Sequence, residues 1–291
     1  MEVSPNSKPN RLFSRRRFLI TGTTLGAGTA GYGWFLESEW LEVGRTSISL
    51  APGKFQRSFT LLHLSDLHAS RYVRIEYLET ALDLAHSLRP DLICLTGDFL
   101  TGKFFQMKRY AAVLSRLAAS APAYACLGNH DGKKIRPAPH GDWSHQDRVR
   151  NLLKETGIHL LHNDLEIVQT PGGPLCLAGV GDLWGKECDP EKTFKKQPED
   201  GVMPTFLLAH NPDCKDKLID HRWDLMLSGH THGGQVNLPL LGPAFAPVED
   251  LRFIHGLHRW ENRWLYITKG VGNLYGFRLN CRPEISLLTI S

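Results

Sequence analysis

The chain predicts an α/β fold in which two facing sheets carry helices on their outer sides, and three features of the sequence lead there. Apolar runs alternate with amphipathic helical segments through the first half, from Phe59 to Leu127. The second half is richer in strand-like runs. Short polar clusters follow the apolar runs, and the carboxyl ends of strands are where open α/β sheets build ligand sites. A sandwich of two sheets uses both halves of the chain, which a single doubly wound sheet does not.

The elements follow in order. Phe59–Leu64 reads as a buried strand, because four of its six residues are Phe or Leu. Ile75 to Leu88 carries apolar residues at helical spacing, and Asp91 to Thr96 reads as a second strand. A helix from Phe105 to Ala119 and a strand from Ala123 to Leu127 repeat the unit, as parallel strands require. Further strands are expected at Leu165–Gln169, Leu175–Val180, Arg252–His258, Arg263–Thr268 and Glu284–Ile290. Residues 185–204 are polar and aperiodic, and are read as an excursion near the site. Leu238 to Pro247 is apolar without periodicity. It is expected to pack over the sandwich, the other reading being contact with an acyl chain.

The 291 residues are 42% hydrophobic, enough for one large core, and no break in composition divides them. The chain holds 34 basic and 30 acidic residues; Lys8, Arg11, Arg15, Arg16 and Arg17 stand against Glu2 in the first 17, leaving 29 of each sign in the remainder. A neutral body has no electrostatic footprint for nucleic acid, so duplex binding is set aside.

The basic head runs into an uncharged stretch, and Ser14-Arg15-Arg16-Arg17-Phe18-Leu19-Ile20 resembles a twin-arginine export signal. The glycines and threonines that follow suit a translocation signal better than a stable membrane span. Residues 1–36 are therefore expected to be a twin-arginine-type signal or an N-terminal anchor through residues 18–36, with the translocon as partner and the periplasm or cell envelope as destination. Residues 37–58 are expected to lead into the domain. The six cysteines contain no Cys-x-x-Cys, and Cys94 and Cys126 lie in apolar runs, so they are read as reduced core thiols.

Five clusters carry the chemistry: Asp66-x-His68, Gly97-Asp98, Gly128-Asn129-His130-Asp131, His210, and Gly229-His230-Thr231-His232. Residues two apart in an extended chain project to the same side, so Asp66 with His68, and His230 with His232, each offer two ligands from one segment. Asp98 has a carboxylate able to bridge two ions, and Asn129 adds a neutral oxygen donor. Two divalent ions with two aspartates and a bridging hydroxide leave about one positive charge, which attracts an anion such as phosphate. Such mixed donors accept Mn, Fe, Zn or Ni. His63, His86, His159 and His162 lack this context and are read as core or surface histidines, and Asp131 as orienting its loop.

This set resembles the calcineurin-like metallophosphoesterase superfamily, whose pattern is D-x-H, G-D, G-N-H-D/E, H and G-H-x-H; every position is filled between residues 60 and 232. The resemblance implies a four-layer αββα sandwich over residues 59–291. It implies one ion on Asp66, His68, Asp98 and His232 and a second on Asp98, Asn129, His210 and His230. His130 is then the catalytic histidine near the leaving group, and metal-bridging hydroxide attacks phosphorus in line. Gly229 to Gln235, Gly270 to Gly276 and Asn280 to Glu284, with the twin-arginine head, are similar to the YaeI and YkuE type of bacterial phosphodiesterase. Purple acid phosphatases fit less well, since Thr101 stands where they have tyrosine, and so does the cytosolic lipid A pyrophosphatase, which has arginine in place of His130.

The resemblance implies hydrolysis of a phosphodiester or pyrophosphate, lipid-linked or envelope-associated. Cleavage of UDP-2,3-diacylglucosamine in lipid A biosynthesis and a phosphomonoesterase are the rival enzymes, and a metal-binding interaction scaffold is the rival class. An intact His130 argues against the scaffold. Lys195, Lys196, Arg278 and Arg282 are expected at the solvated surface or, for Arg282, in an ion pair, rather than on a second phosphate.

Overall fold

The computed structural model describes residues 15–50, 53–132, 146–198 and 201–291. Lys8, Arg11 and Ser14 of the basic head lie outside them. Helix α1 spans Arg15–Phe35. Among the described residues no helix is long and apolar enough to cross a membrane.

The first sheet is built from β1 (Glu42–Ile48), β2 (Phe59–Leu64), β3 (Leu92–Thr96), β4 (Ala123–Cys126), β5 (His159–Leu160) and, from the far end of the chain, β14 (Glu284–Ile290), in the order β1-β14-β2-β3-β4-β5. Strands β2 to β5 run parallel, and β14 pairs antiparallel to β2. The second sheet has the order β12-β13-β9-β8-β7-β6, from β6 (Asp164–Thr170), β7 (Gly173–Gly179), β8 (Thr205–Leu208), β9 (Leu225–Ser228), β12 (Gly256–Trp260) and β13 (Arg263–Ile267). Its four inner strands are parallel and its two edges antiparallel.

Strand alternation sorts the apolar residues into three cores. Leu61, Leu92, Cys94, Phe206, Leu208, Leu225 and Leu227 meet between the sheets. Leu62, Leu64, Ile93 and Leu95 point the other way, under α2 (Ile75–Ser87), α3 (Met107–Ala118) and α4 (Gln146–Thr156). Leu207 and Met226 face Phe194, Leu218 and Trp223 on the far side of the second sheet. Both faces of the central strands are buried, which is why they read as continuous apolar runs rather than alternating ones. The result is the α/β sandwich that the sequence predicts. The described cysteines are all free thiols, five of them buried.

Several expectations need correction. The stretch leading into the domain contributes β1, parallel to β14. The strand expected from Arg252 starts at Gly256; Arg252 instead turns back on Asp250, its guanidinium 2.6 Å from the carboxylate. Residues 185–204 include a short helix, α5 (Pro190–Phe194), capped by Asp189 accepting from the Lys192 N–H. The apolar stretch 238–247 does not pack over the sandwich. It forms a hairpin of β10 (Asn237–Leu238) and β11 (Gly242–Pro243), with Leu240, Leu241 and Phe245 exposed. Arg278 is not at the surface but fully buried.

The core between the sheets holds their separation, so its truncation is expected to be felt throughout. Leu227→Ala should lower unfolding free energy by about 2–5 kcal/mol in urea denaturation, whereas Leu240→Ala should stay within about 0.5 kcal/mol.

Candidate metal centre

The ligand clusters lie where parallel strands of both sheets end: Asp66 and His68 after β2, Asp98 after β3, Asn129 and His130 after β4, His210 after β8, and His230 and His232 after β9. Backbone pairing continues past the strands. Asp66 N–H donates to the Gly97 carbonyl (3.0 Å), His68 N–H to Asp98 (2.9 Å), and Gly229 N–H to His210 (3.0 Å). The loops are thus registered like strands, although they carry no strand conformation. Asp66, His68, Asp98, His230 and His232 all have left-handed backbones, with φ between 45° and 69°. A residue with a Cβ resists that region by roughly 1–2 kcal/mol, and such strain persists where surroundings over-determine it and gathers at functional sites.

Glycines supply part of that determination. A Cβ on Gly128 would strike the Asp98 carboxylate, and one on Gly229 would strike Ser65 Oγ and the Asp66 carboxylate. Asp131, buried, accepts from the N–H groups of Phe99 (2.9 Å), Leu100 (3.4 Å) and Gly128 (3.1 Å), tying the Asp98 loop to its own.

All seven expected ligands and His130 are brought to one pocket. His68 Nε2 lies 3.0 Å from His232 Nε2 and 3.5 Å from Asp98 Oδ2, and His232 Nε2 lies 3.4 Å from Asp66 Oδ1. His210 Nε2 is 3.1 Å from Asn129 Oδ1 and 3.3 Å from Asp98 Oδ2. His230 is beside it, ring centroids 5.0 Å apart, its Nε2 buried without a hydrogen-bond partner. Among the described residues, three groups have ligand atoms all within 4.8 Å of one another: Asp66, His68 and His232; Asp66, Asp98 and His210; His68, Asp98 and His130.

The donor set fits a cation. His210 Nδ1–H donates to the Thr96 carbonyl at 2.6 Å, which leaves the Nε2 lone pair aimed at two other acceptors, Asn129 Oδ1 and Asp98 Oδ2. Lone pairs converge there and require a positive centre. The titration behaviour says the same. Burial by itself would lower His210, yet Asp98, Asp66 and Asp182 raise it to about 10. Burial would raise Asp98, but His210, His130 and His68 hold it well below the carboxylate range, and His232, His68 and His210 do so for Asp66. Burial lowers His230 to about 3 and lowers His130 and His232, so these imidazoles stay neutral and able to ligate or to donate a hydrogen bond.

His130 is half-buried, as its neighbour Asn129 is, whereas the other six ligands are buried. Its backbone N–H donates to Asp98 Oδ1 (2.9 Å), and its Nδ1 is 3.5 Å from Thr101 Oγ1.

Several supporting residues carry no motif. Thr101 Oγ1 lies 2.5 Å from His68 Nδ1, and by accepting the Nδ1 proton it would favour the tautomer that leaves Nε2 to ligate. Buried Arg278 donates to the carbonyls of Lys269, Gly272 and Cys281 and lies 3.5 Å from His232 Nδ1, so it braces the His232 loop from behind instead of meeting a phosphate. Arg282 pairs with Glu42 at 3.5 Å, and Lys196 with Asp164 at 2.9 Å. The Trp184 ring stands edge-on to His230 at 4.4 Å, which puts the start of the aperiodic excursion at the site.

Removing a partner of a ligating imidazole typically weakens metal affinity by about 10–100-fold. Thr101→Val should do so in a chelator competition, with unchanged circular dichroism; unaltered affinity would reduce Thr101 to a space-filler.

The sequence profile described as calcineurin-like phosphoesterase matches residues 59–234. The chain is 40% identical over 282 residues to phosphodiesterase YaeI of Escherichia coli, covering 96% of this chain and all of that one. It is 29% identical to the metallophosphoesterase YkuE of Bacillus subtilis, over 95% of this chain and 97% of the relative. With the UDP-2,3-diacylglucosamine pyrophosphatase LpxG of Chlamydia trachomatis it shares 30% identity over 91% and 94% of the two chains. The sandwich, the ligand pocket and these matches agree: the chain belongs to the calcineurin-like phosphoesterase family and is a phosphoric ester hydrolase.

Proposed function

We propose that this chain is a two-metal phosphodiesterase or pyrophosphatase whose substrate is lipid-linked or otherwise associated with the cell envelope. The observation that carries the two-metal part is carboxylate sharing: Asp66 and Asp98 each belong to two of the three clusters, so two ion positions would adjoin one another. Asp66, His68, Asp98 and His232 would hold one ion, and Asp98, Asn129, His210 and His230 the other, with Mn, Fe, Zn or Ni all compatible. When bound, a pair of such ions activates water and stabilises the attacking and leaving oxygens of an in-line displacement.

The chain's own residues do the rest. Asp98 is fixed by the His130 N–H, so its carboxylate stays between the two ligand groups. His130, half-buried with its ring 5.0 Å from that of His68, would donate a hydrogen bond to the leaving oxygen. Trp184 lies edge-on to His230, which would limit the ways that imidazole can turn.

Similarity to a protein named as a phosphodiesterase supports diester cleavage. Similarity to LpxG supports a second reading, hydrolysis of the pyrophosphate of UDP-2,3-diacylglucosamine. Rates on bis-p-nitrophenyl phosphate, p-nitrophenyl phosphate and a nucleotide-linked diacyl sugar, each with Mn, Ni or Zn, separate the readings. Diester or pyrophosphate turnover above monoester turnover is expected; background rates with all three, in protein holding metal, would leave only a scaffold. His130→Ala should lower turnover by about 100-fold or more with bound metal unchanged, and metal loss in that variant would make His130 a ligand.

We further propose export to the periplasm or envelope through the twin-arginine translocon, on the strength of Ser14 to Ile20. Arg15→Lys with Arg16→Lys is expected to retain the protein in the cytoplasm; undiminished export would refute it.

A further inference from the structure

The hairpin that follows the last ligands is exposed in a way that water does not reward. Asn237 to Pro247 contains no charged residue. At its tip Leu240 is fully exposed, Leu241 is 80% exposed and Phe245 72%. Leu240 also has a left-handed backbone, φ 67°, a conformation that turns ordinarily give to Gly or Asn. The chain thus holds a leucine in an unfavourable conformation and points it into solvent, although a glycine there would relieve both costs.

The hairpin is not alone. Its flank and α1 form two walls of one groove of about 910 Å3, lined by Ile20, Thr24 and Tyr32 on the helix and Leu238 and Pro239 on the hairpin, with Leu279 at its base. The described side chains of residues 20–29 of α1 are exposed, and a Cβ added at Gly22, Gly26 or Gly28 meets nothing. Exposed aromatic residues ring the foot of this projection. Trp34 packs on Phe277 (5.2 Å), and Tyr72 on Tyr275 (6.2 Å), along the segment that leads to Leu279. Two of the ring carry cations: Arg71 lies over Tyr72 at 4.5 Å and Arg282 over Trp40 at 4.4 Å. Arg15, Arg16 and Arg17 open α1, and the sequence before them adds Lys8 and Arg11 against Glu2.

An apolar tip, an aromatic collar and a basic surround match, in order, the acyl boundary, the interface and the anionic headgroups of a membrane. We propose that the hairpin tip and α1 together rest on an anionic phospholipid bilayer, so that the metal pocket at the hairpin's root meets phosphoesters at the membrane surface. The hairpin is rooted on the ligand loop itself: the Ala244 N–H donates to the Val236 carbonyl (2.8 Å), four residues after His232. This deepens the envelope-associated reading, and vesicle binding is measured apart from turnover, so either can fail alone.

The test is co-sedimentation of the full chain with phosphatidylcholine vesicles, with and without phosphatidylglycerol. Binding is expected with phosphatidylglycerol and to be weaker without it. Leu240→Asp with Leu241→Asp, at positions outside the core, should weaken binding about tenfold or more while hydrolysis of bis-p-nitrophenyl phosphate stays at the wild-type rate. Absence of binding to either vesicle overturns the proposal, as does undiminished binding of the double variant. A wild-type dimer in light scattering that the double variant abolishes, without vesicle binding, overturns it too and gives the patch to a second copy of the chain.

Discussion

Lone pairs crowded at the ends of strands impose the constraint to which the remaining features answer. Asp66, Asp98, Asn129 and the imidazoles of His68, His210, His230 and His232 crowd one pocket, most of them buried, with more acceptors than protons to share. Such an arrangement is costly in an empty protein interior. The backbone adds to the cost, because five of these residues sit in the left-handed region. What keeps them there is steric room and hydrogen bonding: glycines at 128 and 229 admit the carboxylates, and Asp131 locks two loops with three accepted N–H groups. A cation resolves the electrostatic half of the problem, and the raised affinity of His210 for a proton marks where its charge is wanted.

Neither sheet builds this pocket by itself. Thr96 ends a strand of the first sheet and His210 follows one of the second, and the bond from His210 Nδ1 to the Thr96 carbonyl joins them. The His230 N–H, from the second sheet, donates to both oxygens of Asp66, from the first (3.2 and 3.0 Å). The apolar layer between the sheets therefore sets more than stability. It fixes the distance across which these groups meet, and close packing lets little of it relax.

What the sequence revealed tracks how strongly each residue's surroundings are written into its neighbours. Phe59–Leu64 and Glu284–Ile290 are legible to the residue, because strands buried on both faces are apolar at most positions. The edge strand Glu42–Ile48 was not, since its solvent-facing residues break the pattern, and β12 was placed early for the same reason. All of the expected ligands converge, because fixed short spacings between chemically distinctive residues survive without any knowledge of the fold. Their supports were harder to see. Thr101 acts across 33 positions and Arg278 across 46, and neither has a composition that separates it from an ordinary surface residue. Arg278 was expected in solvent; it is buried because backbone carbonyls, not carboxylates, satisfy its guanidinium. The hairpin at Leu240 was misread in the opposite sense, as apolar residues ordinarily seek the core.

The central claim is that these strand-end turns seat two ions on shared carboxylates, and anomalous diffraction from crystals equilibrated with Mn tests it most directly. Two peaks are expected, one between Asp66, His68 and His232 and one between Asn129, His210 and His230, with Asp98 reaching both. A single peak, or metal bound elsewhere while His210 and Asn129 remain in contact with each other, would contradict the account.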